Sequence, residues 1–362
     1  MRAFVISFLF ALAGLGIFAP EARAAGASPK SAAEPQVLRV YNWEEYMSPD
    51  VLRRFEAKHG VRVELETYGS TEELVTNVET RPGRYDVIFP SSYTVAYLRS
   101  KGLLAPLEKR NIPNITNLDP RFRSPNYDPG SRYCVAYLWS KLVLGYNATK
   151  VARKPRSWTE MFEPQYAGRI ALLTDSRESL GVVLLMMGYS PNTTDPTEIA
   201  KARDFLIARN RQVHAYADDS VERLLEEGTV DLVLGWEGDM ASLSERRPDL
   251  RYVVPAEGSV FATDSLCIPK SSPNKLLAER FIDFILDAEN GAQLSRELLY
   301  PTPNLAAQPL LPPAARARQI PSDDTNHRLF PLVDVGTTVL SLYDAAWERI
   351  LEDHRSVRRP RK

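Results

Sequence analysis

The sequence VLRVYNWEEY at residues 37–46 is the stretch from which the fold can be built outward. Residues 37–40 have the composition of a strand, and three aromatic residues and two carboxylates follow them at the strand end. In open α/β sheets, ligands bind just beyond the carboxyl ends of the strands. Ring faces attract an organic cation and carboxylates neutralise it, so this stretch could form one wall of a cation site. Taken alone, it fits a buried Trp beside a solvated Glu-Glu turn better, because aromatic side chains usually belong to cores.

The segments after this stretch alternate between helix and strand signals. Ser48 and Pro49 provide an N-cap and a first-turn proline for a helix that Gly60 ends. Alternating apolar residues over 61–68 predict a strand, and residues 70–73 have the form of a capping box at the start of the next helix. A buried strand is predicted at residues 85–89 and a further helix from Ser91. This βαβαβα order predicts an α/β fold with a parallel, doubly wound sheet.

A second set of elements follows a long irregular connection at residues 104–132. An apolar run over 134–146 leads into it, and residues 138–140 are predicted to begin the passage to a second domain. The predicted strands are 169–173, 231–235 and 260–269, and the predicted helices are 177–187, 195–210, 219–227, 274–286 and 336–351. From residue 295 the pattern predicts a Pro-rich loop before the last helix, and the basic residues 355–362 predict a frayed tail.

The first residues predict an export signal. Arg2 is followed by an apolar run over 3–19, and Ala22-Arg23-Ala24 matches a small-x-small cleavage site. We therefore expect a signal peptide at residues 1–24, cleavage after Ala24 and a periplasmic location. Residues 25–36 are small and polar, which predicts a flexible leader.

Composition and motifs argue against several classes of function. The net charge of −1 gives no sign of nucleic-acid binding. The two cysteines, Cys134 and Cys267, are too few for a metal site, and they could form a disulfide or remain two buried thiols. The four histidines are scattered, and neither HExxH nor GxSxG occurs. The sequence therefore predicts no metal, no cofactor and no catalytic residue.

Five motifs, in order along the chain, carry a resemblance to a known family. They are YNWxEY at 41–46, PSxY at 90–93, LLTDxRE at 172–178, GYSxNTTD at 188–195 and YPTPNLAA at 300–307. With these motifs the chain resembles the bacterial periplasmic spermidine- and putrescine-binding proteins of ATP-binding-cassette importers, from Val40 to about Leu351. The resemblance implies a two-lobed, type II periplasmic-binding-protein fold, each lobe a doubly wound, mostly parallel sheet, with a hinge between the lobes. Lobe one would comprise residues 37–140 and 264–308, and lobe two residues 141–263 and 309–362.

The resemblance also implies which residues contact the ligand. The matching positions are Trp43, Glu45, Tyr46, Ser91, Tyr93, Asp175, Glu178, Trp236, Asp264 and Tyr300. Polyamine methylenes need apolar faces and their ammonium groups need carboxylates and ring faces, which this set supplies. Local structure offers a second explanation for some positions, since Asp175 with Glu178 also fits a capping box and Ser91 an N-cap. Asp264 lies inside an apolar run, where a carboxylate most needs a functional reason.

Three positions depart from the family pattern. Ala262 stands where spermidine-binding members carry a second Trp of the cleft, and Leu332 stands where the family has Gln. Losing one ring face is worth about 0.5–2 kcal/mol of binding free energy. Glu44 replaces a common Thr and adds a possible charge. These departures predict a cleft with one wider, more apolar end, and they leave open which of putrescine, spermidine or a related amine binds.

The resemblance therefore implies polyamine binding without catalysis, and delivery of the amine to the membrane permease of an importer. A periplasmic sensor that reports the amine to a membrane signalling partner is an alternative, because both roles use the same ligand-bound state. A secreted hydrolase using Glu237 and Asp239 is a third, weaker hypothesis, because no other catalytic signature accompanies these two residues.

Overall fold

The computed structural model describes residues 35–218, 221–319 and 328–358. The predicted signal peptide and the leader as far as residue 34 lie outside the described residues, as do residues 359–362 of the predicted tail. The structural statements that follow concern the described part of the chain.

The first six elements confirm the predicted βαβαβα order. They are β1 (Val37–Trp43), α1 (Pro49–His59), β2 (Arg62–Tyr68), α2 (Thr71–Thr80), β3 (Val87–Ile88) and α3 (Ser92–Ser100). The Ser48 hydroxyl accepts a hydrogen bond from the Val51 N–H at 3.4 Å, and Gly60 ends α1 in the left-handed region at φ 65°. Strand β1 pairs in parallel with β2 on one side and β3 on the other.

The later elements include several that the sequence pattern did not predict. The later elements, predicted and unpredicted together, are β4 (Cys134–Asn147), β5 (Ile170–Leu173), α4 (Ser176–Met186), α5 (Pro196–Ile207), β6 (Val213–Ala217), α6 (Val221–Glu226), β7 (Leu232–Trp236), α7 (Glu237–Arg246), β8 (Leu250–Val253), β9 (Ser259–Cys267), α8 (Lys275–Ile285), α9 (Ala288–Leu298), α10 (Pro313–Ala317), β10 (Leu329–Pro331) and α11 (Thr337–Arg358). The connection at 104–132 contains only short 3-10 helices among its described elements, as an irregular segment should.

Ten strands of the described residues form one mixed sheet, in the order β2-β1-β3-β9-β4-β7-β5-β6, with β10 beside β9 and β8 beside β4. Pairing is parallel within β2-β1-β3 and within β7-β5-β6. It is antiparallel between β3 and β9 and on both sides of β4. Strand β4 is 14 residues long, and it pairs with β9 through its first half and with β7 and β8 through its second. The predicted parallel sheet is therefore present at each end, joined through an antiparallel centre.

The buried side chains form two large hydrophobic clusters. One is built around β1, α1 and α8, with Val40, Phe55 and Phe281 fully buried. The other is built around β5, β7, α4 and α11, and includes Leu234 and Tyr343. Two cores at the two ends of one sheet are what a two-lobed fold requires. The residue boundaries proposed for the lobes stay a prediction.

Cys134 and Cys267 form a disulfide. The two residues face each other in register on the antiparallel strands β4 and β9. The sequence left the choice between a disulfide and two thiols open, because a pairing across 133 residues of chain has no local signal.

Two predictions about the last part of the chain are wrong. The loop predicted from Ser295 begins too early, because Ser295 to Leu298 belong to α9, which Asp287 caps. The frayed tail is wrong for residues 355–358, because α11 continues to Arg358 and the guanidinium of Arg358 donates to the carbonyl of Val213. Helix α11 packs against α5, and the contact of Arg358 with Val213 holds the last turn where composition alone predicted fraying.

Candidate functional site

A cavity of about 670 Å³ lies at the carboxyl ends of β1 and β7 and beside the middle of β9. Nine of the ten predicted contact residues border it: Trp43, Glu45, Tyr46, Ser91, Tyr93, Glu178, Trp236, Asp264 and Tyr300. The tenth, Asp175, does not border the cavity but contacts Tyr93, which does. Its carboxylate accepts a hydrogen bond from the Tyr93 hydroxyl at 3.1 Å. Residues from both ends of the sheet, far apart in sequence, therefore meet at one place.

Asp264 is the centre of a hydrogen-bonded group on β9. One carboxylate oxygen accepts from the Tyr46 hydroxyl at 3.0 Å, and the other accepts from the Ser91 hydroxyl at 2.7 Å. Burial raises the pKa of Asp264 to about 6, although both hydrogen bonds act in the opposite direction. Ser91 occupies the N-cap position of α3, but among the described residues its side chain makes no capping hydrogen bond. Ser91 is therefore the N-cap residue by position, while its hydroxyl donates to Asp264 and does not cap the helix.

The stretch 41–46 forms a tight turn that Asn42 holds together. The buried Asn42 side chain donates to the Tyr46 carbonyl at 2.8 Å and accepts from the Trp43 N–H at 2.9 Å. The turn places Glu45 in the left-handed region, at φ 51°, which is costly for a residue with a Cβ. Glu44 and Glu45 are exposed at the cavity border as a result. The indole N–H of Trp43 donates to the Phe89 carbonyl at 3.0 Å, which fixes the ring.

Asp175 and Glu178 lie at the first turn of α4. One Asp175 oxygen accepts from the backbone N–H groups of Arg177 and Glu178, at 2.8 and 3.1 Å, and its other oxygen accepts from Tyr93. Burial raises the pKa of Asp175. Asp175 therefore caps the helix and also positions Tyr93, while the buried Glu178 borders the cavity itself.

Tyr300 joins the Asp264 group to the opposite side of the cavity. Its ring packs edge-on against the Tyr46 ring at 4.9 Å, and its hydroxyl donates to Asp239 at 2.9 Å. The ring lies so close to Gly238 that a Cβ there would come within 2.0 Å of it, so this position requires glycine. Asp239 is therefore part of the cavity wall.

Glu237, one of the two carboxylates of the hydrolase hypothesis, has a structural partner. Glu237 is buried and accepts a hydrogen bond from the Lys141 ammonium at 2.7 Å. Asp239 borders the cavity and is bonded to Tyr300. The pair Glu237 and Asp239 is thus divided between a buried ion pair and the cavity wall.

Sequence reasoning missed several carboxylates that border the cavity. They are Asp218, Glu222, Glu226 and Glu297. Burial, with smaller contributions from the Asp218 and Glu45 carboxylates, raises the pKa of Glu222. The only local signal is the i, i+4 spacing of Glu222 and Glu226, which places both on one face of α6. The described residues around the cavity carry nine carboxylates and two guanidinium groups, those of Arg223 and Arg246, so the cavity favours a cation.

Ala262 and Leu332, the two main departures from the family pattern, lie in different parts of the fold. Ala262 borders the cavity, directly opposite Ser140 on the neighbouring strand. Leu332 is 1% exposed and belongs to the hydrophobic cluster around β5 and α4. The predicted wider, apolar end can therefore involve Ala262, whereas Leu332 contributes to the core.

Across residues 35–218, 221–319 and 328–358, no group of three His, Cys, Asp or Glu side chains is arranged to hold a metal ion. In the same residues, each helix is too short or too polar to cross a bilayer.

The fold is that of the type II periplasmic binding proteins. The chain belongs to the bacterial extracellular solute-binding proteins, whose family profile matches residues 50–321. It is 35% identical over 299 residues to the spermidine/putrescine-binding periplasmic protein of Salmonella typhimurium, which covers 82% of this chain and 86% of that one. It is 32% identical over 341 residues to the putrescine/cadaverine-binding protein of Pseudomonas aeruginosa, covering 90% of this chain and 96% of the relative.

A solved structure shows the same fold. The substrate-binding protein of a spermidine/putrescine ATP-binding-cassette transporter from Streptococcus pneumoniae superposes with a TM-score of 0.77. The two chains are 30% identical, and the match covers 88% of this chain and 99% of the other.

Proposed function

We propose that this protein binds a linear polyamine in the cavity and delivers it to the membrane permease of an ATP-binding-cassette importer. The observation that carries the proposal is the excess of carboxylates around a cavity with aromatic walls. Carboxylates neutralise ammonium groups, and the aromatic rings attract them while covering the methylenes between them. The names of the relatives, which bind spermidine, putrescine or cadaverine, support the same ligand class.

One ammonium group of the ligand would sit at Asp264. The Tyr46 and Ser91 hydroxyls hold this carboxylate in place, and a cation beside it favours its ionised form. Trp43 and Trp236 would cover the methylenes, because both rings border the cavity and are partly buried. The remaining ammonium groups would face the carboxylates of Glu45, Glu178 and Asp239. This mechanism consists of binding alone and breaks no bond of the ligand.

Closure of two lobes would complete the binding. With the proposed boundaries, Trp43, Ser91 and Asp264 belong to lobe one, whereas Glu178 and Trp236 belong to lobe two. A ligand in contact with both sets of residues would draw the lobes together about the strands β4 and β9, which pass between them. Export by the predicted signal peptide would place the closed protein in the periplasm, where the importer can receive it.

Thermal unfolding of the mature protein, from residue 25, with putrescine, cadaverine, spermidine and norspermidine tests the proposal. At a free ligand concentration of one hundred times Kd, binding stabilises the folded state by about 2.7 kcal/mol. We expect at least one amine to raise the unfolding midpoint, and Asp264→Ala to abolish that rise without unfolding the protein. Glu352→Ala, at an exposed carboxylate on α11, is the matched control and should keep the full shift. No shift with any amine would overturn the proposal.

Deletion of the gene tests delivery separately from binding. Loss of polyamine uptake would support the importer role. Unchanged uptake together with an altered signalling output would instead support a periplasmic sensor.

A further inference from the structure

Gly238, the second residue of α7, lies directly against a residue of the other proposed lobe. With the boundaries proposed above, Gly238 belongs to lobe two and Tyr300 to lobe one. The Tyr300 ring covers the glycine so closely that an added Cβ would overlap three of its carbon atoms, the farthest of them at 2.6 Å. Non-bonded carbon atoms pack at about 3.5–4.0 Å, so a side chain at position 238 would push the ring and α7 apart.

Tyr300 is held on lobe one and has little freedom to move away from α7. The Ser295 hydroxyl donates to the Tyr300 carbonyl at 2.6 Å, and the carbonyl of the next residue, Pro301, accepts from the Trp139 N–H at 3.1 Å. Its ring packs edge-on against the Tyr46 ring. A side chain on α7 would therefore be accommodated by separation of the lobes and not by a shift of the ring alone.

Two hydrogen bonds also cross between the proposed lobes. The Tyr300 hydroxyl donates to Asp239 at 2.9 Å, and the Tyr93 hydroxyl donates to Asp175 at 3.1 Å. In each pair the tyrosine belongs to lobe one and the carboxylate to lobe two. Hydrogen bonds of this kind need donor–acceptor distances of about 2.5–3.0 Å, so both bonds depend on the close approach of the lobes that Gly238 permits.

Resting on the proposed polyamine binding and lobe closure, we propose that Gly238 is the positioning residue that permits closure, because its missing side chain lets Tyr300 lie against α7. Closure brings Glu178 and Trp236 of lobe two to an amine held at Asp264 of lobe one. The apparent affinity of a ligand falls in proportion to the fraction of protein that can reach the binding-competent state. A side chain at position 238 should therefore leave both lobes folded and reduce amine affinity.

Calorimetric titration and small-angle X-ray scattering of wild type and Gly238→Ala, with putrescine, cadaverine, spermidine and norspermidine, test this role. We expect Gly238→Ala to weaken binding about a hundredfold for each amine that wild type binds, because the ligand loses its contacts with Glu178 and Trp236. Saturating amine should reduce the radius of gyration of wild type and leave that of the variant unchanged. The unfolding midpoint of ligand-free Gly238→Ala should equal or exceed that of wild type, since Ala favours a helix more than Gly does and the open lobes avoid the overlap.

Gly181→Ala is the matched control. Gly181 is a buried glycine of α4, and the three side chains nearest to an added Cβ all belong to lobe two. The nearest, that of Pro191, would lie at 3.5 Å, which is an ordinary packing distance. Gly181→Ala should therefore keep the wild-type affinity and contraction. In a Tyr300→Ala background, Gly238→Ala should cause no further loss of affinity, because the overlapping ring is absent.

Several results would overturn the role of Gly238 while leaving polyamine binding intact. They are equal affinity of wild type and Gly238→Ala, contraction of this variant on binding as in wild type, binding by wild type without contraction, or a full additional loss in the Tyr300→Ala background. A lower unfolding midpoint of Gly238→Ala would also overturn it, because the lobes would then be unable to separate. Failure of wild type to bind any of the four amines would instead overturn the proposed function itself.

Discussion

Acidification should weaken amine binding through Asp264. Burial raises the pKa of this carboxyl to about 6 in the ligand-free protein, well above the ordinary range for Asp. An ammonium ligand binds the ionised carboxylate, so binding lowers the pKa of Asp264 and releases a proton when the pH is below about 6. The sign follows directly: affinity is full above this pKa and is lost as the pH falls through it.

The size of the effect follows from the ionised fraction. With a pKa of about 6, Asp264 is about nine-tenths ionised at pH 7 and about one-tenth ionised at pH 5. The affinity should therefore fall about tenfold between these values, or about 1.4 kcal/mol. The pKa values of Asp175 and Glu222 are also raised by burial, so their protonation steepens the fall in wild type. Asp264→Asn isolates the contribution of Asp264, because its amide cannot ionise.

Calorimetric titration between pH 5 and pH 7.5, in pairs of buffers with different ionisation enthalpies, measures both the affinity and the proton release. Wild type should release about 0.9 proton per ligand at pH 5 and about 0.1 at pH 7 from Asp264. Asp264→Asn should bind more weakly at pH 7 and should have a flatter pH profile. Equal wild-type affinity at pH 5 and pH 7, with circular dichroism showing an intact fold, would refute the assignment of the central ammonium site to Asp264.

Three further predictions follow from the site and its surroundings. Ala262→Trp should tighten amine binding by about 0.5–2 kcal/mol in calorimetry, because it adds a ring face beside Asp264, and weaker binding would mean that the wall has no room for an indole. Glu237→Gln should lower the free energy of unfolding in urea by about 3–5 kcal/mol, because it leaves the Lys141 ammonium buried without its carboxylate. The double variant with Lys141→Met and Glu237→Leu should recover most of that loss, and a further, additive loss would contradict the ion-pair explanation. Replacing Cys134 and Cys267 together by Ser should lower the free energy of unfolding by about 2–5 kcal/mol, since the disulfide closes a loop of 133 residues, and an unchanged urea midpoint would show that it contributes nothing.

The part of the fold that the sequence predicts is the part that local chemistry specifies. The N-caps Ser48 and Ser70 and the helix-ending Gly60 lie where the pattern places them, because caps and left-handed glycines are set by neighbouring backbone groups. Helix α9 escaped prediction although most of its residues favour a helix, because Gly291 interrupts the pattern. A Cβ at Gly291 would come within 3.0 Å of the Asn304 side chain, so packing favours a small residue there. That contact is with a later segment and has no local signal.

The residues of the candidate site were also predicted only in part from the sequence. The family resemblance located nine residues that border the cavity: seven lie in the five motifs, and Trp236 and Asp264 match family positions outside them. It missed Asp218, Glu222, Glu226 and Glu297, which look like ordinary solvated charges in sequence and reach the cavity only through the pairing of the sheet. The antiparallel centre formed by β4 and β9 decides this arrangement, and pairing between strands so far apart in the chain cannot be derived from periodicity.

Three features of the site raise the free energy of the folded protein, and two of them are electrostatic. Asp264 is a carboxylate whose pKa burial has raised, so keeping it ionised costs free energy at neutral pH. Burial raises the pKa of Glu222, with a smaller contribution from the Glu45 carboxylate, and Glu45 itself has a backbone conformation that is costly for a residue with a Cβ. A neutral ligand would relieve neither electrostatic cost, and an anion would increase both. A cation with more than one positive centre relieves both at once, because its charges can lie at Asp264 and between Glu45 and Glu222. The physical chemistry of the cavity therefore selects a multiply charged cation without reference to the relatives, and it selects the same chemical class that their names report.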